Sequence, residues 1–337
     1  MIERPWSSGS LAPAPGAALD PLDHLDEVEG ALMRLAVGTR LDRLGRMVQE
    51  HLDAGGKRMR ARLALAAGEA LGLERAEMVH WAAAVELLHN ATLVHDDLQD
   101  GDARRRGSPT VWAQHGAAQA INVGDLLLTL PYLAVRGVEG NDALRWRLAE
   151  AIATAAEATV RGQSLELDLL PRRKLGWHDW TAAARGKSGA LLALPVHGAA
   201  LMAGLDRPTA ETLAGPFASL GVLYQVIDDR VDLWGDKGRG APGNDLREGK
   251  VSAPVVAHLQ LHPRDEPELV ALLERPREQT TDAAVEEWIR RFEEGGARDA
   301  IDRFADHTVR SLLDEPVLKS VPALHALAAE VVARVRG

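Results

Sequence analysis

Two aspartate clusters define the chemistry open to this chain. The first is Asp96-Asp97-Leu98-Gln99-Asp100-Gly101-Asp102; the second is Asp228-Asp229-Arg230-Val231-Asp232, with Asp236 one turn further on. Carboxylates four residues apart share one helix face, about 5–6 Å from each other, so Asp96 pairs with Asp100 and Asp228 with Asp232. Gly101 and Gly235 are helix stop signals. They place both clusters at helix C-termini, where the dipole opposes added negative charge. Carboxylates crowded in this way require cations. The chain has no cysteine and neither cluster contains a histidine, so the donors are oxygens only. That set suits Mg²⁺ whose shell is completed by substrate phosphate and water.

Strong positive charge follows the first cluster directly, in Arg104-Arg105-Arg106-Gly107-Ser108-Pro109-Thr110. Carboxylates that hold a metal and guanidinium forks that take the remaining oxygens together suit a metal-bound diphosphate. The plain alternative for the arginines is a solvated loop. Gly55-Gly56-Lys57-Arg58-Met59-Arg60 is a second anion site by type, since two glycines let backbone amides approach an anion at a helix start. Arg185-Gly186-Lys187-Ser188-Gly189 repeats the idea with a lysine and a hydroxyl.

The elements that must position these groups are helical. Long segments carry 3.6-residue periodicity and β-branched or aromatic runs are scarce, so the chain is read as all-α. Asp20-Pro21 predicts an N-cap with Leu22, Leu25, Leu32 and Leu35 as the apolar stripe behind it. Further helices are predicted over 58–71, 75–99, 116–136, 142–168, 178–203, 208–235, 250–261, 282–294, 297–314 and 320–335, with Gly and Pro at the joints. Residues 1–19 read as a loose tail with no signal-peptide core, and 20–337 as one domain. No uninterrupted apolar stretch reaches the roughly 20 residues of a membrane span. With 337 residues, 46% hydrophobic and a formal charge of −10, the chain is expected to be globular and cytoplasmic. It is not expected to bind nucleic acid.

Taken in order, Gly55-Gly56-Lys57-Arg58-Met59-Arg60, Leu93-Val94-His95-Asp96-Asp97-Leu98-Gln99-Asp100 with Arg105-Arg106-Gly107, and Tyr224-Gln225-Val226-Ile227-Asp228-Asp229-Arg230-Val231-Asp232 resemble the trans-prenyl diphosphate synthases. Gly162-Gln163, Lys187-Ser188 and Asp245-Leu246-Arg247-Glu248-Gly249-Lys250 fit the same family. The resemblance implies a single-domain antiparallel helical bundle around a central cavity, usually homodimeric, with the two aspartate motifs opposed at its mouth. It implies condensation of isopentenyl diphosphate with an allylic diphosphate and three Mg²⁺ per site. Asp96 and Asp100 would hold two of the ions and Asp228 the third, with Asp97, Asp102 and Asp232 supporting. Lys57, Arg60, His89 and Arg106 would hold isopentenyl diphosphate. Arg105, Lys187, Ser188, Gln225 and Lys250 would surround the allylic diphosphate.

Some positions depart from the family pattern. Ser188 stands where Thr is usual and keeps the hydroxyl; Glu166 replaces Asp; Ala241 stands where many relatives have Lys, with Lys237 or Arg239 as substitutes. Arg230 either pairs with Asp229 or faces solvent. Product length depends on what blocks the cavity below Asp96, one turn of about 5.4 Å at a time. Ala91 and Thr92 are small where short-chain members carry an aromatic, so deeper residues such as Leu88, Val85, Leu128 or Tyr132 would form the floor and the product would have twenty carbons or more. A class I terpene cyclase, a non-catalytic partner subunit and an acidic ion-buffering scaffold are the competing readings. The paired clusters and three basic sites disfavour each.

Overall fold

The computed structural model describes residues 19, 24–38, 42–235 and 242–336. Asp20 and Pro21, and Asp236, Lys237, Arg239 and Ala241, lie outside the described residues. The chain builds α1 (Leu25–Val37), α2 (Arg43–Asp53), α3 (Met59–Ala70) and α4 (Arg75–Asp100). A short hairpin, β1 (Arg104–Arg105) and β2 (Ser108–Pro109), leads into α5 (Val111–His115), α6 (Ala117–Val135) and α7 (Asp142–Asp168). Next come α8 (Trp177–Ala184), a π-turn over Arg185–Gly189, α9 (Ala190–Met202) and α10 (Arg207–Trp234). The remainder is α11 (Asn244–Arg247), α12 (Ala253–Leu261), α13 (Glu266–Leu273), α14 (Asp282–Glu294), α15 (Ala297–Leu313), α16 (Pro316–Lys319) and α17 (Pro322–Arg336). The architecture is all-α, as the periodicity predicts.

Three site-bearing helices start on local signals. The Glu74 N–H donates to Glu77 at 2.8 Å to open α4. Asn141 accepts from the Leu144 amide at 2.8 Å before α7, and Asp206 from the Thr209 amide at 3.0 Å before α10. Each bond satisfies a backbone donor that the first turn leaves over.

Helix α4 packs against α3, α6 and α9, and α9 also touches α7 and α10. Helix α9, ALLALPVHGAALM, is apolar nearly all round and almost wholly buried, as expected of a helix surrounded by others. Alanines 82–84 of α4 and 64, 66 and 67 of α3 are fully buried and keep these helices close. Helices α4, α7 and α10 bring their C-terminal turns to one end of the bundle, while α9 runs the other way and begins there. The predicted helix over 178–203 is therefore interrupted at the site by its π-turn. Helices α2, α5, α11, α13 and α16 and the hairpin lie outside the predicted helical ranges.

Helix α6, 19 residues with a mean hydropathy of 1.3 over its most apolar window, has the length and composition of a membrane-crossing helix, yet Asp125 interrupts it, in keeping with the absence of an uninterrupted apolar stretch. One face, Ala120, Val123, Leu127, Leu130 and Ala134, is buried in the core, and Asp125 lies on the other.

Candidate active site

Asp96, Asp97 and Asp100 of the first cluster occupy the end of α4, and Asp102 follows it. Gly101 ends that helix at φ 72°, a left-handed conformation that suits glycine. The hairpin then doubles back through Arg106 at φ 52° and Gly107 at φ 84°, a two-residue turn that matches strand twist. The reversal returns Arg105 to Asp97. Its Nε lies 2.7 Å and its Nη2 2.6 Å from Asp97 Oδ1. Asp97 is buried, and burial raises its pKa while Arg105 opposes the rise.

Lysines from two other elements reach the same turn. Lys187 Nζ lies 2.5 Å from Glu166 and 3.8 Å from Asp96. Lys250 Nζ lies 2.9 Å from Asp100 and 2.8 Å from Glu248. Burial works against both ammonium charges, but Glu166 and Asp96 around Lys187, and Asp100, Asp245 and Glu248 around Lys250, more than offset it and raise both pKa values. Burial pushes Asp96 up to about 6, with Lys187 opposing and Asp100 and Glu166 assisting.

The second cluster divides its labour. Asp229 is buried, accepts from the Ala253 amide at 2.7 Å and from Gln225 Nε2 at 2.8 Å, and is pushed up to about 7 chiefly by burial and by neighbouring Asp228. It anchors α10 to α12. Asp232 accepts from the Asp245 amide at 3.0 Å and ties the chain after α10 back to it. Asp228, one turn before Asp232 on the same side of α10, is partly exposed. Glu166 of α7 acts electrostatically on both Asp96 and Asp229, so the two clusters lie to either side of one carboxylate of α7. Arg230 neither pairs with Asp229 nor stands free: its Nε is 2.9 Å from Asp302 of α15.

A basic pocket lies beside the first cluster. Arg60 Nη1 donates to His89 Nε2 at 2.9 Å, which leaves the proton of a neutral His89 on Nδ1. That Nδ1 and Arg60 Nε are buried without a hydrogen-bond partner, two donors awaiting an acceptor. Burial and Arg60 push His89 well below the ordinary imidazole range. Arg106 donates to the Gly55 carbonyl, and a β-carbon on Gly56 would lie 2.4 Å from Arg106 Nη1. The glycine pair thus admits the arginine, with exposed Lys57 next to it. Arg58 behaves otherwise. It is 6% exposed, donates to the Leu52 carbonyl at 2.9 Å and lies 3.7 Å from buried Glu86, so it props the loop from beneath.

Ser188 Oγ lies 3.5 Å from Gln225 Oε1, and Gln163 donates to Gln99 at 2.8 Å. The Asp102 carbonyl accepts from Thr110 and Trp112, while its carboxyl feels Glu248 and Lys250. Below Asp96, Ala91, Leu88 and Val85 are fully buried, and Thr92 Oγ1 donates to the His89 carbonyl at 2.8 Å. Leu128 is partly buried. Tyr132, 39% exposed, sits on the outer face of α6 and does not form a floor.

Sequence reasoning missed Asp229 as the structural carboxylate, Glu248 as the partner of Lys250, and His51, whose Nε2 lies 3.1 Å from Asn90 Oδ1. Only the Asp229 role had a signal in the chain: of two adjacent aspartates on a helix, one must face inward. Among the described residues no group of three His, Cys, Asp or Glu side chains is arranged to hold a metal unaided. The donor chemistry nonetheless fits Mg²⁺, which takes one or two carboxylates and draws its other oxygens from phosphate and water. Asp96, Asp100 and Asp228 are the carboxylates that would hold it, and the ammonium groups of Lys187 and Lys250 beside Asp96 and Asp100 mark where positive charge is favoured.

Carboxylates of α4 and α10, with Lys187, Lys250 and Arg105 among them, gather at one end of an all-α bundle. The pattern of the polyprenyl synthetase family matches residues 42–291, and the chain belongs to that family and is a prenyltransferase. A geranylgeranyl diphosphate synthase of Mycobacterium tuberculosis (strain ATCC 25618 / H37Rv) is 32% identical over 297 residues, 84% of each chain. A (2E,6E)-farnesyl diphosphate synthase of Mycobacterium bovis (strain ATCC BAA-935 / AF2122/97) is 36% identical over 225 residues, 64% of this chain and 60% of that one. The crystal structure of a polyprenyl synthase from Caulobacter crescentus CB15, complexed with calcium and isoprenyl diphosphate, superposes with a TM-score of 0.80 at 25% identity, over 96% of this chain and 99% of that one.

Proposed function

We propose that this chain condenses isopentenyl diphosphate with an allylic diphosphate (dimethylallyl, geranyl or farnesyl) to give a linear trans-prenyl diphosphate of twenty carbons or more. It would work as a homodimer with three Mg²⁺ per site. The observation that carries the reading is the convergence of Lys187 and Lys250 on Asp96 and Asp100, 3.8 and 2.9 Å away. These charges come from three separate elements and form one compact anion-and-cation site. The divalent ion and diphosphate named for the Caulobacter relative support the same chemistry.

Bound Mg²⁺ would supply positive charge that stabilises the departing diphosphate. Asp96, Asp100 and Asp228 would hold it. Lys187 and Lys250 would orient the allylic diphosphate, each drawn from a carboxylate it already contacts. Arg105, with two nitrogens on Asp97, positions that carboxylate and offers its remaining N–H groups to phosphate. The Arg60 Nε and His89 Nδ1 donors, with Lys57 and Arg106, would hold isopentenyl diphosphate beside it.

Heterolysis of the allylic C–O bond leaves its electron pair on the diphosphate and a cation on C1. The isopentenyl double bond attacks that carbon, and the C2 proton passes to the departed diphosphate. Among the described residues no side chain stands as a dedicated base. The apolar wall of α4 below Asp96 keeps water from the cation.

Purified protein incubated with Mg²⁺, isopentenyl diphosphate and each allylic diphosphate in turn should yield linear prenyl diphosphates, identified by mass after dephosphorylation. Cyclic hydrocarbon from the allylic substrate alone would mean a cyclase. Absence of turnover with every allylic substrate would mean a non-catalytic subunit.

A further inference from the structure

Each lysine of the site stands against two carboxylates, one on α4 and one outside the aspartate clusters: Lys187 meets Asp96 and Glu166, and Lys250 meets Asp100 and Glu248. For Lys250 the outer carboxylate has a support of its own. The Glu248 side chain is 5% exposed, and while its Oε2 faces Lys250 at 2.8 Å, its Oε1 accepts from Arg277 Nη1 at 2.7 Å. Arg277 Nη2 donates to Asn244 Oδ1 at 2.7 Å, and Asn244 Nδ2 donates to Glu248 in turn. These three side chains close a ring of hydrogen bonds in which one planar guanidinium fixes both partners.

Arg277 lies on none of the elements that carry the site. It belongs to a short 3₁₀ turn, Arg277–Gln279, between α13 and α14. The segment it holds is seated at two further points. The Asp232 carboxylate accepts from the Asp245 amide at 3.0 Å, and Gly249, at φ 70°, lies so near the end of α13 that a β-carbon there would sit 2.3 Å from the Leu273 carbonyl oxygen. Lys250 follows directly, so its side chain leaves a backbone fixed against α13.

We infer that Glu248 is the positioning carboxylate of Lys250, and that Arg277, bonded to the other oxygen of Glu248, holds it in that role. The inference rests on the proposed diphosphate chemistry. An ammonium with Asp100 as its only partner would occupy the carboxylate that the cation requires. Glu248 gives it a second partner at the same place, so Asp100 can turn to the metal while Lys250 stays beside the diphosphate. A glutamate buried to this degree needs Arg277 as well, because an ammonium shared with Asp100 compensates only part of its charge.

Two substitutions of opposite charge test this. Glu248→Gln removes a negative charge and Arg277→Met a positive one, so a field effect alone would lower KM for the allylic diphosphate in the first and raise it in the second. Positioning raises it in both, about tenfold for one charge-assisted hydrogen bond lost, and leaves KM for isopentenyl diphosphate near the parent value. Arg277→Lys keeps the charge but cannot span Glu248 and Asn244 together, and should fall between Arg277→Met and the parent. Affinity for inorganic pyrophosphate with Mg²⁺, measured by isothermal titration calorimetry, should weaken in step with the allylic KM. Parent-like circular dichroism and cooperative melting confirm folding. Opposite shifts in the two variants, equal rises in both KM values, or parent values in a folded Glu248→Gln overturn the inference, and turnover by the parent then leaves the proposed function standing. A parent that turns over no allylic substrate overturns both.

Discussion

Asp96 shows what the site demands of a single residue. Burial holds its carboxyl at about 6, so the charge that function requires is poorly tolerated by the fold alone. Asp96→Asn should therefore melt at or above the parent temperature, since Lys187 keeps Glu166 as its partner at 2.5 Å. Turnover should fall by roughly 10²–10³-fold with the loss of a charge that stabilises the transition state. Differential scanning fluorimetry beside steady-state kinetics checks both halves. His51 gives the pH counterpart. Burial, with Arg105 assisting, lowers its pKa from 6.5 to about 4, so the unfolded chain takes up a proton before the folded one does. The stability held above pH 6.5 should drain as pH falls toward 4. Its partial exposure limits the loss to about 1–2 kcal/mol, and His51→Gln should flatten that part of a denaturant-midpoint against pH plot. Arg58 marks where residue types mislead: Lys57, Arg58 and Arg60 are equally basic on paper, yet only the fold shows that Arg58 lies over Glu86 beneath the loop.

At the scale of elements, the aspartate-bearing helices were legible because spacing, caps and glycine stops agree with one another over many residues. The π-turn at Arg185–Gly189 was not, since its cause is tertiary. Gly162 of α7 lies so near that a β-carbon would sit 2.1 Å from the Lys187 nitrogen, and one on Gly221 of α10 would sit 2.4 Å from the Gly189 Cα. Backbone thus meets backbone on two sides of one turn. The widened turn is what carries Lys187 to Asp96, in keeping with the frequent occurrence of π-bulges at functional sites. Gly162→Ala must push α7 and the turn apart. The expected outcome is a several-fold higher KM for the allylic substrate and a smaller change for isopentenyl diphosphate, whose pocket is built on α3, α4 and the hairpin. Equal effects on both KM values would show that the glycine serves general packing only. The hairpin escaped prediction for a related reason: strands of two residues carry no periodicity, and Arg106-Gly107 reads as a turn only once its left-handed φ values are known.

For the whole molecule, what remains exposed is as informative as what is buried. Helix α6 turns Ala120, Val123 and Leu127 into the core, yet Ile121, Tyr132 and Leu133 stay 48%, 39% and 47% exposed. Composition alone could not separate these two faces, because nearly the whole helix is apolar; that is why it has the look of a membrane span and why the sequence left Tyr132 on the wrong side. Apolar surface grouped along one helix is what a protein partner covers, and on our reading of the chain as a homodimer the partner is a second copy. An isologous contact brings the same stripe together from both copies, so a substitution is felt twice across the axis. Ile121→Lys with Tyr132→Lys would set four positive charges into a seam whose two Asp125 carboxylates, one from each copy, could balance only half of them. The double variant should sediment as a monomer at concentrations where the parent sediments as a dimer. Helix α6 carries its inner face against α4, the helix that ends in Asp96 and Asp100, so loss of the contact should also lower turnover. Parent-like dimer mass in the double variant would move the interface elsewhere; a monomeric parent would remove the homodimer from the proposal and leave the chemistry of the single-chain site untouched.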